Sequence, residues 1–157
     1  MGSSFHVYLP IIERIDDQRV LEEESETPSL GSETVLLVDD DEVVLRATEG
    51  LLTEFGYTVE AFTNSIEAFR TYASDPNRFD IVVTDTTMTG MTGFDLSKKI
   101  IALNPVQLIV LCSGFSESIN RDKALDIGIE DYFEKPIITW EIAKVIRSVI
   151  DKRKQPN

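Results

Sequence analysis

From Thr34 onward, short apolar runs alternate with amphipathic stretches. Val35-Leu36-Leu37-Val38 is an unbroken apolar run ending in three aspartates, the pattern of a strand buried on both faces. Val44, Ala47, Leu51 and Phe55 then recur at helical spacing, with Gly56 as a stop. Tyr57 to Phe62 is rich in β-formers. Asn64 opens a second helix, with Glu67 three residues on in capping-box fashion. Ile66, Phe69, Tyr72 and Ala73 supply its apolar face, and Asp75-Pro76 ends it.

The alternation continues. Phe79 to Thr84 reads as a strand, and Phe94, Leu96, Ile100 and Leu103 line a helix that stops before Pro105. Gln107 to Leu111 is the next strand. Ile119, Lys123, Ala124 and Ile127 mark a helix closed by Gly128. Ile129 to Phe133 is a fifth strand. Thr139 caps a last helix with Ile142, Val145, Ile146 and Val149 inward, and Lys152, Arg153 and Lys154 sit where the helix dipole favours cations. Five strand–helix pairs in strict alternation predict an α/β fold: a doubly wound, five-stranded parallel sheet with helices on both faces. Ligands of such sheets bind outside the carboxyl ends of the strands, where the strand order reverses.

Composition adds limits. With 157 residues, the chain has the length of about one domain. A single cysteine, Cys112, excludes an internal disulfide and a cysteine-rich metal site, and reads as a small buried hydrophobe. The balance of 28 acidic against 15 basic residues, a net charge of −13, argues against nucleic acid and anionic lipid as partners and suits a cation. No apolar run approaches the roughly 18 residues of a membrane span, and no secretory signal opens the chain, so a cytoplasmic location is expected. Residues 1–33 alone carry a net −6, from eight acids and two arginines. Residues 11–33 read as a flexible acidic linker, with a short helix over Ile15–Glu24 as the alternative.

The candidate chemistry lies at the predicted strand ends. Asp39-Asp40-Asp41 follows the first strand, Asp85 the third, Ser113-Gly114 the fourth and Lys135-Pro136 the fifth. Taken singly, each has an ordinary reading: a solvated loop, a turn serine, a surface lysine. Asp41 is better read as a helix cap than as a metal ligand. Together they bring carboxylates, a hydroxyl and an ammonium to one edge. Crowded carboxylates repel, and a hard divalent cation such as Mg²⁺ with oxygen ligands relieves that repulsion. A carboxylate beside a metal and a lysine can attack phosphorus and form an acyl phosphate.

Leu36-Leu37-Val38-Asp39-Asp40-Asp41, Asp80 to Asp85, Met88 to Gly93, Ser113-Gly114 and Lys135-Pro136 occur in order and resemble a response-regulator receiver domain, of flavodoxin-like topology, over residues 34–153. The resemblance implies that Asp85 is the phospho-acceptor and that Asp39 and Asp40 are the acidic pair at a Mg²⁺ site. It implies that Thr87 lends the metal its backbone carbonyl. Ser113 and Lys135 would be the family's hydroxyl and lysine, and Tyr132 the aromatic switch residue, for which plain core packing is the alternative. The implied donor is a phosphohistidine of a sensor kinase or phosphotransfer protein, and a second copy could pair through the last two strand–helix units. Thr89 stands where the family often has proline, which is expected to loosen the loop after Asp85. The resemblance also implies that Thr87 and Phe115 hold positions that, in this family, modulate acyl-phosphate lifetime.

Residues 1–10, with Gly2-Ser3-Ser4-Phe5-His6-Val7-Tyr8-Leu9-Pro10, resemble the last strand of a histidine-kinase ATPase domain. The expectation is the C-terminal receiver of a hybrid sensor kinase, with a tail over 154–157 and with another domain reading the signal. No ATP-binding glycine box or donor-histidine motif is present, so kinase activity is not expected of this segment alone. Two alternatives stand beside it. One is a free-standing regulator. The other is a Mg²⁺-dependent aspartyl phosphohydrolase, against which Thr87 weighs, since such enzymes usually carry a second Asp two residues after the nucleophile.

Overall fold

A computed structural model describes residues 30–114, 129, 131–135 and 141–154. Its elements are β1 (Thr34–Val38), α1 (Glu42–Glu54), β2 (Thr58–Phe62), α2 (Ser65–Ser74), β3 (Ile81–Asp85), α3 (Gly93–Leu103), β4 (Leu108–Ser113), β5 (Asp131–Glu134) and α4 (Glu141–Lys154). The strands form one parallel sheet in the order β2-β1-β3-β4-β5. The chain goes from β1 outward to β2, then returns across β1 to β3. The reversal therefore lies between β1 and β3, whose register pairs Val38 with Thr84. That register sets Asp39 and Asp85 side by side at the carboxyl ends.

The unbroken apolar runs predicted for the strands reflect a sheet covered on both faces. Val35 and Leu37 of β1 join Ile81, Val83, Leu108 and Val110 against α1 and α4. Leu36 and Val38 join Val82, Ile109 and Leu111 against α2 and α3. Every residue of β3 is buried. Among the described residues, no helix is long and apolar enough to cross a membrane.

Three helix faces differ from the sequence expectation. In α1 the buried row is Leu45, Thr48 and Leu52, while Val44 is half-buried and Ala47 exposed. Apolar residues fill two neighbouring stripes of this helix, and periodicity alone cannot choose between them. In α2 the buried row is Ser65, Ala68 and Tyr72, and Ile66 is 46% exposed. Small side chains at 65 and 68 take the sheet-facing positions that larger residues were expected to fill. In α3, Leu96 and Ile100 are buried as expected, but Leu103 is 49% exposed. The expected inward row of α4 holds at Ile142, Ile146 and Val149, with Ala143 and Ile150 added and Val145 half-buried.

The helix caps at Asp41 and Asn64 form as read. Asp41 accepts from the N–H groups of Val43 and Val44, and Asn64 from those of Ile66 and Glu67. The segments 1–10 and 11–29, the helix around Ile119–Ile127, the cap at Thr139 and residues Phe115, Pro136 and Trp140 lie outside the described residues.

Glu33, assigned from sequence to the acidic linker, is 8% exposed and belongs to the fold. Its carboxylate accepts from both terminal nitrogens of Arg147 (3.1 and 2.9 Å) and from Lys154 Nζ (3.0 Å), both on α4. Burial pulls this carboxyl upward, but Arg147, the Ser32 N–H and Lys154 outweigh it and hold it at about 2.

Candidate acidic site at the β1–β3 crevice

The three consecutive aspartates divide the work. Asp39 is buried, and its N–H is held by the Phe62 carbonyl at 3.1 Å. Asp40 is exposed. Asp41 caps α1, and its own N–H donates to Asp39 Oδ1 at 3.0 Å. One carboxylate thus faces the crevice, one stands at its lip, and the third fixes the helix start.

Asp85 closes β3 with 5% exposure. Asp39, Asp40 and Asp85 each offer a carboxylate oxygen within 4.8 Å of the others. Lys135 follows β5 directly, and its N–H donates to the Ser113 carbonyl at 2.7 Å, joining the ends of β4 and β5. From there its Nζ reaches Asp39 Oδ2 at 2.7 Å and Asp85 Oδ1 at 2.6 Å. The remaining oxygen of Asp85 accepts from the Thr87 N–H at 3.0 Å.

These contacts set the electrostatics. Burial raises the Asp85 carboxyl above the usual carboxylate range; Lys135 opposes this, and the neighbouring charge of Asp39 adds to it. Burial works against the Lys135 ammonium, but two carboxylates at contact distance leave it raised and firmly charged. One ammonium among three carboxylates leaves an excess of negative charge. The donor set is all oxygen, which suits a hard cation such as Mg²⁺ and not a thiophilic metal. Cys112 lies beside Asp85 in register, and its thiol is buried and pushed up to about 12, so it stays a neutral core residue.

The loop after Asp85 is anchored. The Thr86 N–H and hydroxyl both donate to the Cys112 carbonyl (2.8 and 3.0 Å), and Gly93 N–H donates to the Thr86 carbonyl at 3.1 Å. A Cβ on Gly93 would lie 2.0 Å from the Asp85 carbonyl oxygen, so only glycine lets α3 start this close to the site. Met88 is buried. At the lip, both the N–H and the hydroxyl of Thr89 donate to Asp40 Oδ2, at 2.9 and 3.0 Å. The loosening expected from the absence of proline is therefore offset: the threonine ties the loop to the opposite strand end with two bonds that proline cannot make.

The other named residues sit around this centre. Ser113 is buried at the end of β4, one position past the register partner of Asp85. Tyr132 is half-buried in β5, opposite Leu111, and packs against the cluster on the α2–α3 side. Two contributions were not read from sequence. The double bond from Thr89 has no local signal, because its partner is 49 residues away. The close approach at Gly93 could have been suspected only from a glycine opening a helix.

A β2-β1-β3-β4-β5 parallel sheet with an acidic cluster and a lysine at its switch point defines a class, and the comparisons with known proteins name it. Residues 35–147 match the family model of the response regulator receiver domain, and the chain belongs to that family. The chain is similar to the transcriptional regulatory protein CreB of Escherichia coli, with 26% identity, covering 78% of this chain and 53% of that protein. It is also similar to the sensor kinase CckA of Brucella abortus, with 29% identity over 97% of this chain and 17% of that protein. The chain thus spans about half of one relative and under a fifth of the other. Among solved structures, a response regulator receiver domain protein from Clostridium thermocellum superposes with a TM-score of 0.73 at 25% identity, covering 78% of this chain and 97% of that one.

Proposed function

We propose that this chain is the phospho-accepting receiver of a two-component phosphorelay, taking a phosphoryl group from a histidine onto Asp85 in the presence of Mg²⁺. The observation that carries this reading is the Asp85 carboxylate held between Lys135 and the Asp39–Asp40 pair. Asp39, Asp40, Asp85 and the backbone carbonyl of Thr87 would hold the ion. When bound, Mg²⁺ supplies positive charge to the transferring phosphoryl oxygens.

An oxygen of Asp85 attacks phosphorus in line with the bond to the donor imidazole. The new P–O bond forms as the P–N bond breaks, and its electron pair returns to the histidine nitrogen. A carboxylate raised by burial is more basic, and hence more nucleophilic, than a solvated one. Lys135 exchanges part of its contact with Asp85 for a phosphoryl oxygen, and the Ser113 hydroxyl donates to another. The acyl phosphate is lost by hydrolysis or by onward transfer.

Phosphorylation biases a two-state equilibrium in which Ser113 moves toward the phosphoryl group and Tyr132 turns inward. The face of the last two strand–helix units then changes for its reader: a parent kinase, a histidine phosphotransfer protein or a second copy of this chain. We further propose that the chain is the C-terminal receiver of a hybrid sensor histidine kinase working in the cytoplasm. The similarity to a sensor kinase over 97% of this chain supports this, since the regulator CreB is matched over 78%. An ATPase domain encoded in frame upstream is expected; a native start codon at Met1 would favour the free-standing regulator instead. The phosphohydrolase alternative is not favoured, because Thr87 occupies the acid/base position.

Incubation with acetyl phosphate and Mg²⁺, followed by intact mass measurement, is the direct test. The wild type should gain one phosphoryl group, and Asp85→Asn should gain none. Equal labelling of Asp85→Asn would remove Asp85 from the acceptor role.

A further inference from the structure

Asp40 stands apart from the other two carboxylates of the crevice. Asp39 and Asp85 are buried and share Lys135, whereas Asp40 is exposed and out of the salt-bridge set. An exposed carboxylate is free to rotate about two bonds, and ordering it at the moment of ion binding costs rotamer entropy. In this chain that ordering is already done. Thr89 places its N–H and its hydroxyl on the same oxygen, Oδ2. Among the described residues no hydrogen bond is made to Oδ1, which is left available as a metal donor. The loop carrying Thr89 is itself fixed, through Thr86 to β4 and through Gly93 to α3.

We propose that Thr89 is a positioning residue for the divalent cation, holding Asp40 by one oxygen so that the other is pre-oriented toward Asp39 and Asp85. This rests on the reading of the crevice as a Mg²⁺ site. Partners that hydrogen-bond a metal ligand commonly contribute about 10–100-fold to metal affinity. The hydroxyl is one of two bonds here, so its removal should cost about 3–10-fold.

The test is a calorimetric titration of the unphosphorylated full chain with MgCl2. Thr89→Val keeps the shape and the N–H but deletes the hydroxyl, and should weaken Mg²⁺ binding about 3–10-fold. Thr89→Pro deletes both donors and should weaken it about 10–100-fold. Thr89→Ser restores the hydroxyl and should bind within twofold of wild type. Thermal unfolding without Mg²⁺ should be the same for wild type, Thr89→Val and Thr89→Ser, since the role is in ion binding and not in folding. The proposal is overturned if Thr89→Val binds as tightly as wild type or tighter, or if Thr89→Ser is as weak as Thr89→Val. A wild type that takes up no Mg²⁺ would instead overturn the reading of the crevice as a metal site.

Discussion

Lys135 is the residue on which the charge balance of the crevice turns. It is 21% exposed and lies within 2.7 Å of two carboxylates that are nearly inaccessible to water. Removing one member of such a group leaves uncompensated buried charge, a change that costs about 3–5 kcal/mol when the pair is fully buried. Partial exposure softens this. Lys135→Met is expected to lower unfolding free energy by about 1–3 kcal/mol in Mg²⁺-free buffer, and Mg²⁺ should recover part of the loss. Urea unfolding with and without MgCl2 checks both statements; no loss, or no recovery, would contradict this account. Gly93 is the second sensitive point. Gly93→Ala forces a methyl against the Asp85 carbonyl oxygen, and is expected to cost about 1–3 kcal/mol and to slow acetyl-phosphate labelling by displacing the end of β3. Normal labelling kinetics with unchanged stability would show that α3 can yield without cost.

Among the elements, the residue just before β1 is tied to α4 by a long-range contact. The Glu33 carboxylate accepts from Arg147 and Lys154 over separations of 114 and 121 residues. Because its carboxyl is held at about 2, against 4.5 for the free group, the stabilisation is fully present above pH 4.5 and fades as pH falls toward 2. Glu33→Gln should cost about 1–3 kcal/mol at pH 7, and the cost should shrink across that acid window. Denaturation midpoints measured from pH 7 downward would reveal it; a pH-independent difference would assign the effect to packing. This element boundary was unreadable in the sequence, because Glu33 closes a run of acids that carries the composition of a linker. The helix faces of α1 and α2 were unreadable for another reason. Amphipathicity tells that a helix has an inner side, but Thr48, Ser65 and Ala68 lie on that side because they are small, and smallness gives no periodic signal. The central strands β1, β3 and β4 were readable in kind because burial on both faces leaves them almost wholly apolar, as in β3 before Thr84.

For the whole molecule, strand order could not be read from the residues, yet the rule that ligands gather at the switch point was sufficient to find the crevice. Asp39, Asp40, Asp85 and Lys135 were picked out by residue type at predicted strand ends, and the sheet brings them together. What escaped was the set of long-range ties that hold them, from Thr89 to Asp40 and from Ser113 to Lys135. Such ties depend on the register of β1 with β3 and of β4 with β5, which no local pattern encodes.

The bond between Lys135 and Asp39 spans 96 positions of the chain. No proteolytic piece shorter than that interval can carry both partners, so chemical competence has no partial form. It should vanish in a single step with cooperative unfolding, together with the helices that pack on the sheet.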